Sequence, residues 1–566
     1  MGIFNINKKN FVKSDARKIL QPSKNKKTLN YFTLSFLSLS IFTTACQRVQ
    51  PQSKPLQPLP QDPLVQVYMN HTQSSEYTEN YREQTRPGDD LEKQIIETIS
   101  QAKSSIDIAV QELRLPKLAL ALAEKHKQGI KVRLILENNY SRPWSSLTSQ
   151  EIAKLEKREK QRYNDAYKFL DINQDKKISP EESKQRDAIF ILRNAKISLI
   201  NDTEDASKGS GLMHHKFVIV DNRFTIVTSA NFTMSDIHGD ITNSETLGNS
   251  NNLLKIDSPE LAAIFTNEFN IMWGDGVGGK KDSKFGLQKP LRPPQQIILG
   301  DSKITVNFSP ASQTQPWNQT SNGLIGSYLE LATKSVDTAL FVFSEQRLAD
   351  ILETRHNQKV KIRSLIDRDF AYRPYSEGLD MMGFALSNKC KYELDNRPWQ
   401  NPITTVVIPT LAKGDLLHHK FGIIDNKIVI TGSHNWSEAA NSNNDETLLV
   451  IENYQVAAHF TQEFERLYAN AQPGLPIRIQ KKIKEEQQKC PQIEVTSSIE
   501  NQTDEKININ TASLKELESL PGIGKKTAQR IIDARQQNKF TSLEDLDRVP
   551  GIKTKTQEKL RDRVTF

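Results

Sequence analysis

Cysteine is nearly absent: Cys46, Cys390 and Cys490 are the only three in 566 residues. So few exclude a disulfide scaffold and any cysteine-rich zinc module. Long apolar runs are missing too. Only 36% of residues are apolar against 25% charged, which suits a soluble chain with linkers. The longest mildly apolar stretch, Tyr31 to Ala45, is shorter than the roughly twenty residues a membrane-spanning helix needs. Beyond the N-terminus there is also little excess of one charge. The net +8 comes from 76 basic and 68 acidic residues, yet residues 1–45 hold eight basic side chains against Asp15 alone. Without that segment the chain is close to neutral, so bulk charge gives no argument for nucleic acid. The length points to two to four domains.

The basic N-terminus, its short apolar core and the small residues that end it read as a signal peptide over residues 1–45. Cys46 directly after Ala45 resembles the lipobox of bacterial lipoproteins. That resemblance implies acylation at Cys46 and an exported, membrane-anchored protein, periplasmic or at the cell surface. A plain secretory signal or an uncleaved anchor is the alternative. Gln47 to Pro63 is rich in Pro and Gln, so residues 46–89 are expected to form an extended tether.

An internal repeat sets the architecture. Residues 214–232 (His-His-Lys-Phe-Val-Ile-Val-Asp-Asn onward) and 418–436 (His-His-Lys-Phe-Gly-Ile-Ile-Asp-Asn onward) agree at ten of nineteen positions without a gap. Upstream, Ser105-Ile-Asp107 with Lys131-Val-Arg133 matches Ser335-Val-Asp337 with Lys361-Ile-Arg363. Helical periods (Leu118 to Lys127; Leu348 to Arg355) alternate with short Val/Ile/Leu runs, which predicts an α/β fold of two related α-β-α halves. The expected boundaries are 90–273 and 301–470, with linkers at 274–300 and 471–505 and a small all-α module at 506–566.

The first half carries about 26 additional residues between Glu137 and His214. Within them Asp171, Asn173, Asp175, Lys177, Ser179 and Glu182 occupy positions 1, 3, 5, 7, 9 and 12 of an EF-hand-like loop, Lys177 through its carbonyl. Helical flanks are predicted at Arg162 to Leu170 and Ser183 to Leu192. Calcium is the cofactor this pattern suggests, although Lys176 stands where glycine normally permits the left-handed turn. The alternative is a solvated helix–loop–helix that binds nothing.

His214, Lys216, Asp221, Ser229 and Asn231 are repeated as His418, Lys420, Asp425, Ser433 and Asn435. In a strand, residues i and i+2 share a face, so each His sits beside its Lys. Two lysines, two asparagines and two serines converging would clamp the oxygens of a phosphodiester. The doubled pattern resembles the HKD motifs of the phospholipase D superfamily. The resemblance implies that one histidine forms a phosphohistidine while the other protonates the leaving oxygen, with no metal required. It points to His214 as the nucleophile, whereas the residues themselves leave both assignments open. Glu245 and Glu446, in Asn243-Ser-Glu and Asn444-Asp-Glu, resemble the family's carboxylates that orient the histidines. Asp221 and Asp425 either serve catalysis directly or brace the turn through Asx hydrogen bonds. His215 and His419, on the opposite face, are expected to pack.

Pro521-Gly522-Ile-Gly524-Lys525-Lys526 is echoed by Pro550-Gly551-Ile-Lys553. The segment, with its Asn-Ile-Asn-Thr-Ala opening, resembles the tandem helix-hairpin-helix domain of competence DNA receptors. Glycine amides at a helix N-terminus would then hold DNA phosphate. Lys553 replaces a glycine of the second hairpin. The combined expectation is an exported phosphodiesterase acting on DNA. A phospholipase D acting on phospholipid head groups and a DNA-binding surface receptor with a vestigial core are the alternatives.

Overall fold

The computed structural model describes residues 56–490 and 506–566, apart from 206, 313, 394, 519, 521–522, 553–555, 558–559 and 561–562. The signal segment and Cys46 lie outside the described residues. Each half is built on one mixed sheet. In the first the strand order is Val65–Met69, Asn252–Asp257, Phe224–Thr228, Lys216–Val220, Ser105–Val110, Lys131–Leu136 and Ser198–Asn201. The second keeps this plan from Thr447–Glu452 through Ile428–Gly432, Lys420–Ile424 and Ser335–Leu340 to Lys361–Ile366, with further strands at both edges. In both, a parallel strand–helix–strand unit (Ser105↔Lys131; Ser335↔Lys361) lies against an antiparallel hairpin.

Matching helices carry contacts between the halves: Pro259–Trp273 lies against strand Gln295–Leu299 of the second half and Tyr454–Ala469 against strand Val65–Met69 of the first. Ser258 and Asn453 cap their N-termini by accepting backbone N–H bonds, which fixes where each helix starts. Val456, Phe460, Phe464 and Leu467 recur at helical spacing and are buried. Phe217 packs edge-on against Phe265 at 5.1 Å between ring centroids, and Phe421 against Phe460 at the same 5.1 Å. Side chains of both halves form one apolar cluster there. Phe265 also packs edge-on against Phe308 of the second half (5.2 Å), and burying each such ring contributes about 1.5–3 kcal/mol to holding the halves together.

Three expected boundaries are corrected. Residues 65–87 are not tether: Val65–Met69 is a strand of the first sheet, its alternate residues buried, and Glu76–Thr78 and Thr85–Pro87 form a hairpin. The 274–300 stretch is not a free linker either. Phe285 is buried, Lys289 forms buried ion pairs with Glu268 and Asp445, and Gln295–Leu299 pairs with Ser302–Phe308. Past residue 470, helix Ile477–Lys489 buries Ile479 and Ile483 on the second half. Cys490 is joined there to Cys390 by a disulfide.

The insertion has its predicted helices, with the second broken at Asp187 into Pro180–Arg186 and Ala188–Asn194. Lys176 adopts the left-handed conformation that glycine usually supplies (φ 67°). The loop's carboxylates also order the loop itself. Asp171 accepts from the N–H of Asp175 and Lys176, and Glu182 accepts from Ile172, Asn173 and Ser179 in a capping box. Asp175 in turn accepts from the Lys177 N–H. Among the described residues no group of three or more His, Cys, Asp or Glu comes together to hold a metal ion.

Candidate active site

Each His-x-Lys element enters its sheet as the first residues of a hairpin, and the segment just before it pairs with the other half. The His214 N–H donates to the Asp445 carbonyl (2.9 Å), while the His418 N–H donates to the Ser250 carbonyl (3.1 Å). Parallel bridges Met213↔Asp445 and Ser250↔Leu417 complete this exchange. The two hairpins are therefore stitched to each other's halves by backbone, and both histidines arrive at one place.

The lysines are buried completely, Lys216 at 0% and Lys420 at 1% exposure. Lys216 Nζ donates to the His214 carbonyl (2.9 Å) and to Gln111 Oε1 (3.3 Å), and Lys420 Nζ donates to the His418 carbonyl (2.6 Å). An ammonium has three donors, so both retain N–H groups for an anion. Burial pushes the Lys216 pKa down to about 8, and Lys420 goes down through burial and the nearby Lys216 charge. Burial and the same two cations hold His214 and His418 well below the usual histidine range. Such a cluster of cations invites a phosphate-like anion. Asn231 and Asn435 occupy equivalent places, each with a buried amide oxygen that has no partner among the described residues.

What orients the histidines differs between the halves. His214 Nδ1 is 2.6 Å from Glu446 Oε2, which also accepts from Ser433 Oγ (2.7 Å). His418 Nδ1 is 3.0 Å from Asn251 Oδ1, which accepts from Ser229 Oγ (2.8 Å). Glu446 and Asn251 thus occupy the same position of the two halves, one a carboxylate and the other an amide. Burial raises the Glu446 pKa.

Several expected roles change. Glu245 is exposed and takes no part, its place being held by Asn251. Ser229 and Ser433 do not clamp substrate: each donates to Asn251 or Glu446 and accepts the N–H of Asn252 or Thr447. Asp221 and Asp425 turn away from the histidines. Asp221 accepts from the N–H of Lys103, Ser104 and Ser105, and Asp425 from those of Thr333, Lys334 and Ser335. Both have left-handed backbone (φ 55° and 53°), so they brace the turn. His215 and His419 are buried packing residues that contact Glu268 and Glu463.

Besides Asn251, two further groups escaped the sequence reading. Phe341 packs edge-on against His418 (4.8 Å) and Phe370 (4.6 Å), lining that side with half-exposed aromatic surface. Asp236 accepts from Asn249 Nδ2 and the Asn231 N–H, with Oδ1 4.0 Å from His418 Nδ1.

Of the hairpin-module residues, Gly524 caps helix Lys525–Gln537 with open space around its Cα, and Lys525 and Lys526 are exposed. Gly551 has φ 107°, a conformation that favours glycine. Gly522 and Lys553 lie outside the described residues.

Two pseudo-symmetric hairpins that bring paired His and Lys to one anion site define a phospholipase D-like protein. The chain belongs to the family described as cardiolipin synthase, PLD-like domain, which matches residues 95–273 and 325–468, more than half of its length. Residues 502–565 match the helix-hairpin-helix motif. A mitochondrial cardiolipin hydrolase of Homo sapiens is 30% identical over 142 residues, covering 25% of this chain and 48% of that protein. A phospholipase D of Rickettsia typhi is 31% identical over 144 residues, 25% of this chain and 61% of that one. The chain thus spans about half the length of the curated relatives it matches. Among solved structures, phosphatidylserine synthase from Haemophilus influenzae Rd KW20 aligns with TM-score 0.45 and 13% identity over 76% of this chain and 94% of that one.

Proposed function

We propose that the protein is a phosphodiester hydrolase that works through a phosphohistidine, with DNA as its substrate. The observation that carries the chemistry is the pair of oriented histidines from opposite halves, with Lys216 and Lys420 at their bases. One histidine attacks phosphorus and the other protonates the departing oxygen, then takes a proton from the water that releases the phosphate. The lysines and the amides of Asn231 and Asn435 hold the non-bridging oxygens as charge builds. Every step uses side chains of this chain alone.

The helix-hairpin-helix match supports DNA as the substrate. Gly524 amide and exposed Lys525 and Lys526 supply phosphate contacts of the kind that positions a duplex without reading its sequence. Phospholipid is the second reading, supported by the cardiolipin hydrolases and the phospholipase D among the relatives. The vestigial-receptor reading has nothing comparable behind it, because both His–Lys pairs are intact and oriented. The Cys390–Cys490 disulfide supports the exported location, since such bonds persist in oxidising compartments. Acylation at Cys46 remains part of this proposal, and mass spectrometry of the membrane-extracted protein tests it.

Deleting residues 506–566 tests the substrate. At moderate salt it should weaken DNA binding and DNA cleavage far more than hydrolysis of a small chromogenic phosphodiester. Rising salt should bring the full chain toward the truncated one, because phosphate neutralisation supplies the grip. Unchanged DNA cleavage after truncation, or turnover of phospholipid vesicles alone, favours the second reading.

A further inference from the structure

The two walls that flank the paired lysines are built on the same backbone and end in different chemistry. The Gln111 N–H donates to the His215 carbonyl (3.1 Å) and the Phe341 N–H to the His419 carbonyl (2.8 Å), so Gln111 and Phe341 hold equivalent places beside the anion site. The Tyr140 N–H donates to the Glu137 carbonyl (3.0 Å) and the Phe370 N–H to the Asp367 carbonyl (3.1 Å), which makes Tyr140 and Phe370 a second equivalent pair. On the first wall, charge covers the aromatic surface. Arg162, supplied by the insertion helix Lys157–Leu170, lies over the Tyr140 ring (5.1 Å) and pairs with Glu112 (2.6 Å). Gln111 Oε1 accepts from Lys216 Nζ (3.3 Å).

The wall of the second half is aromatic. Phe341 and Phe370 meet edge-on at 4.6 Å between ring centroids, and each stays half-exposed. Val342 follows Phe341 where Glu112 follows Gln111, so the wall offers no carboxylate at that place. The Phe341 ring also meets His418 edge-on (4.8 Å) and lies 4.9 Å from Lys420 Nζ. These three contacts hold the ring in place before anything binds, so stacking against it costs little ordering. Arg368 and Arg373, both exposed, stand in the same turn as Phe370. Arg368 is loosely paired with Asp369 (3.8 Å), and Arg373 Nε donates to the Asp369 carbonyl (2.7 Å). Aromatic surface beside a phosphate site and bordered by arginines suits an unstacked base with its flanking phosphates. An acyl chain would need a longer apolar trough, and this surface ends at the exposed charges of Arg368 and Asp369.

We propose that Phe341 and Phe370 form a nucleobase subsite, on which the nucleotide at the second-half side of the scissile phosphate stacks its base. The proposal rests on the DNA reading above and sharpens it. Inside a duplex both faces of a base are covered by its neighbours. DNA therefore reaches the subsite with that base unstacked, as at a frayed end or in a single-stranded stretch. Every base has a π face, so the subsite recognises a base without reading which one it is.

The test uses the full chain and two oligomers of equal length and charge, oligothymidylate and a strand made only of tetrahydrofuran abasic residues. Wild type should cleave oligothymidylate about 10–100-fold more efficiently in kcat/KM. This comparison needs no variant, so a folding defect cannot leave the question open. Phe341→Leu and Phe370→Leu should each reduce the preference about 5-fold or more, and the double variant should lose it. Phe370→Tyr, which installs the side chain of the first half, should keep it. The preference and not the rate is the readout, because Phe341 also packs against His418. Equal cleavage of the two oligomers by wild type, faster cleavage of blunt duplex than of oligothymidylate, or a preference that survives in the double variant overturns the subsite and leaves DNA as the substrate. If wild type cleaves no DNA of either form yet turns over cardiolipin vesicles, the DNA reading falls and the subsite with it.

Discussion

The two halves share their backbone plan, their histidines and their lysines, and they differ in what surrounds those groups. Next to Lys216 stands Gln111, while Phe341 stands at the equivalent place next to Lys420. His214 is held by Glu446 and His418 by Asn251. The first half carries the 171–182 loop, and the second instead ties its outer segment down with the Cys390–Cys490 disulfide. Duplication thus preserved the groups that bind an anion, which must act in pairs. It let the groups that set proton affinity and wall polarity diverge, so the two sides of the site match in cations and differ in their other chemistry.

The comparison breaks most completely if one histidine is removed. On substrates that expel an alkoxide, His214→Ala and His418→Ala should each lower turnover by about 10³-fold or more. Circular dichroism and melting curves check that the fold survives. Substantial activity in either variant would mean that the halves work separately.

The next effect concerns pH. With the Lys216 pKa pushed down to about 8 by burial, kcat/KM should fall above that pH as the free enzyme loses the cation. Stability should move the other way. The unfolded chain holds this proton up to the ordinary lysine range, so between about 8 and 10.5 it binds more protons and stability rises with pH. Lys216→Arg should remove this alkaline limb, since guanidinium stays charged. A limb unchanged in Lys216→Arg would assign it to another group.

Asp221→Ala and Asp425→Ala sharpen the distinction between motif and mechanism. Each removes a carboxylate that anchors three consecutive N–H groups of the opposite turn, at a cost of about 1–3 kcal/mol. Urea titration should show that loss, while kcat of the folded fraction stays near wild type. A large drop in kcat without lost stability would restore a catalytic role. The smallest effect is expected in the insertion. Glu182→Ala removes a capping box and should lower the melting temperature slightly, equally with millimolar calcium and with chelator. A calcium-dependent melting shift in wild type, lost in the variant, would contradict the self-satisfied loop.

Much of the site was legible because its residues recur with one spacing. His214, Lys216, Asn231 and their counterparts are tied to hairpins whose length the sheet fixes, so they align without gaps. Glu245 misled because Asn-x-Glu recurs locally while the first half has a longer loop before its next strand. The strands themselves preserve the register: Asn252-Leu-Leu-Lys-Ile-Asp257 matches Thr447-Leu-Leu-Val-Ile-Glu452, which places Asn251 opposite Glu446. The fold boundaries were less legible. Val65–Met69 is a short strand next to a Pro/Gln-rich stretch, and only its antiparallel pairing with Asn252–Asp257, nearly two hundred residues away, makes it part of the core. Lys289 looks like linker charge until Glu268 and Asp445 are seen to enclose it.

One site shared by two halves is the central claim, and anion stoichiometry tests it most directly. Orthovanadate mimics the five-coordinate phosphorus and should bind best where both histidines flank it. Calorimetry on the full chain should give one equivalent bound per chain, with binding lost in His214→Ala and equally in His418→Ala. Two equivalents per chain, or one equivalent kept by either variant, would contradict a shared site.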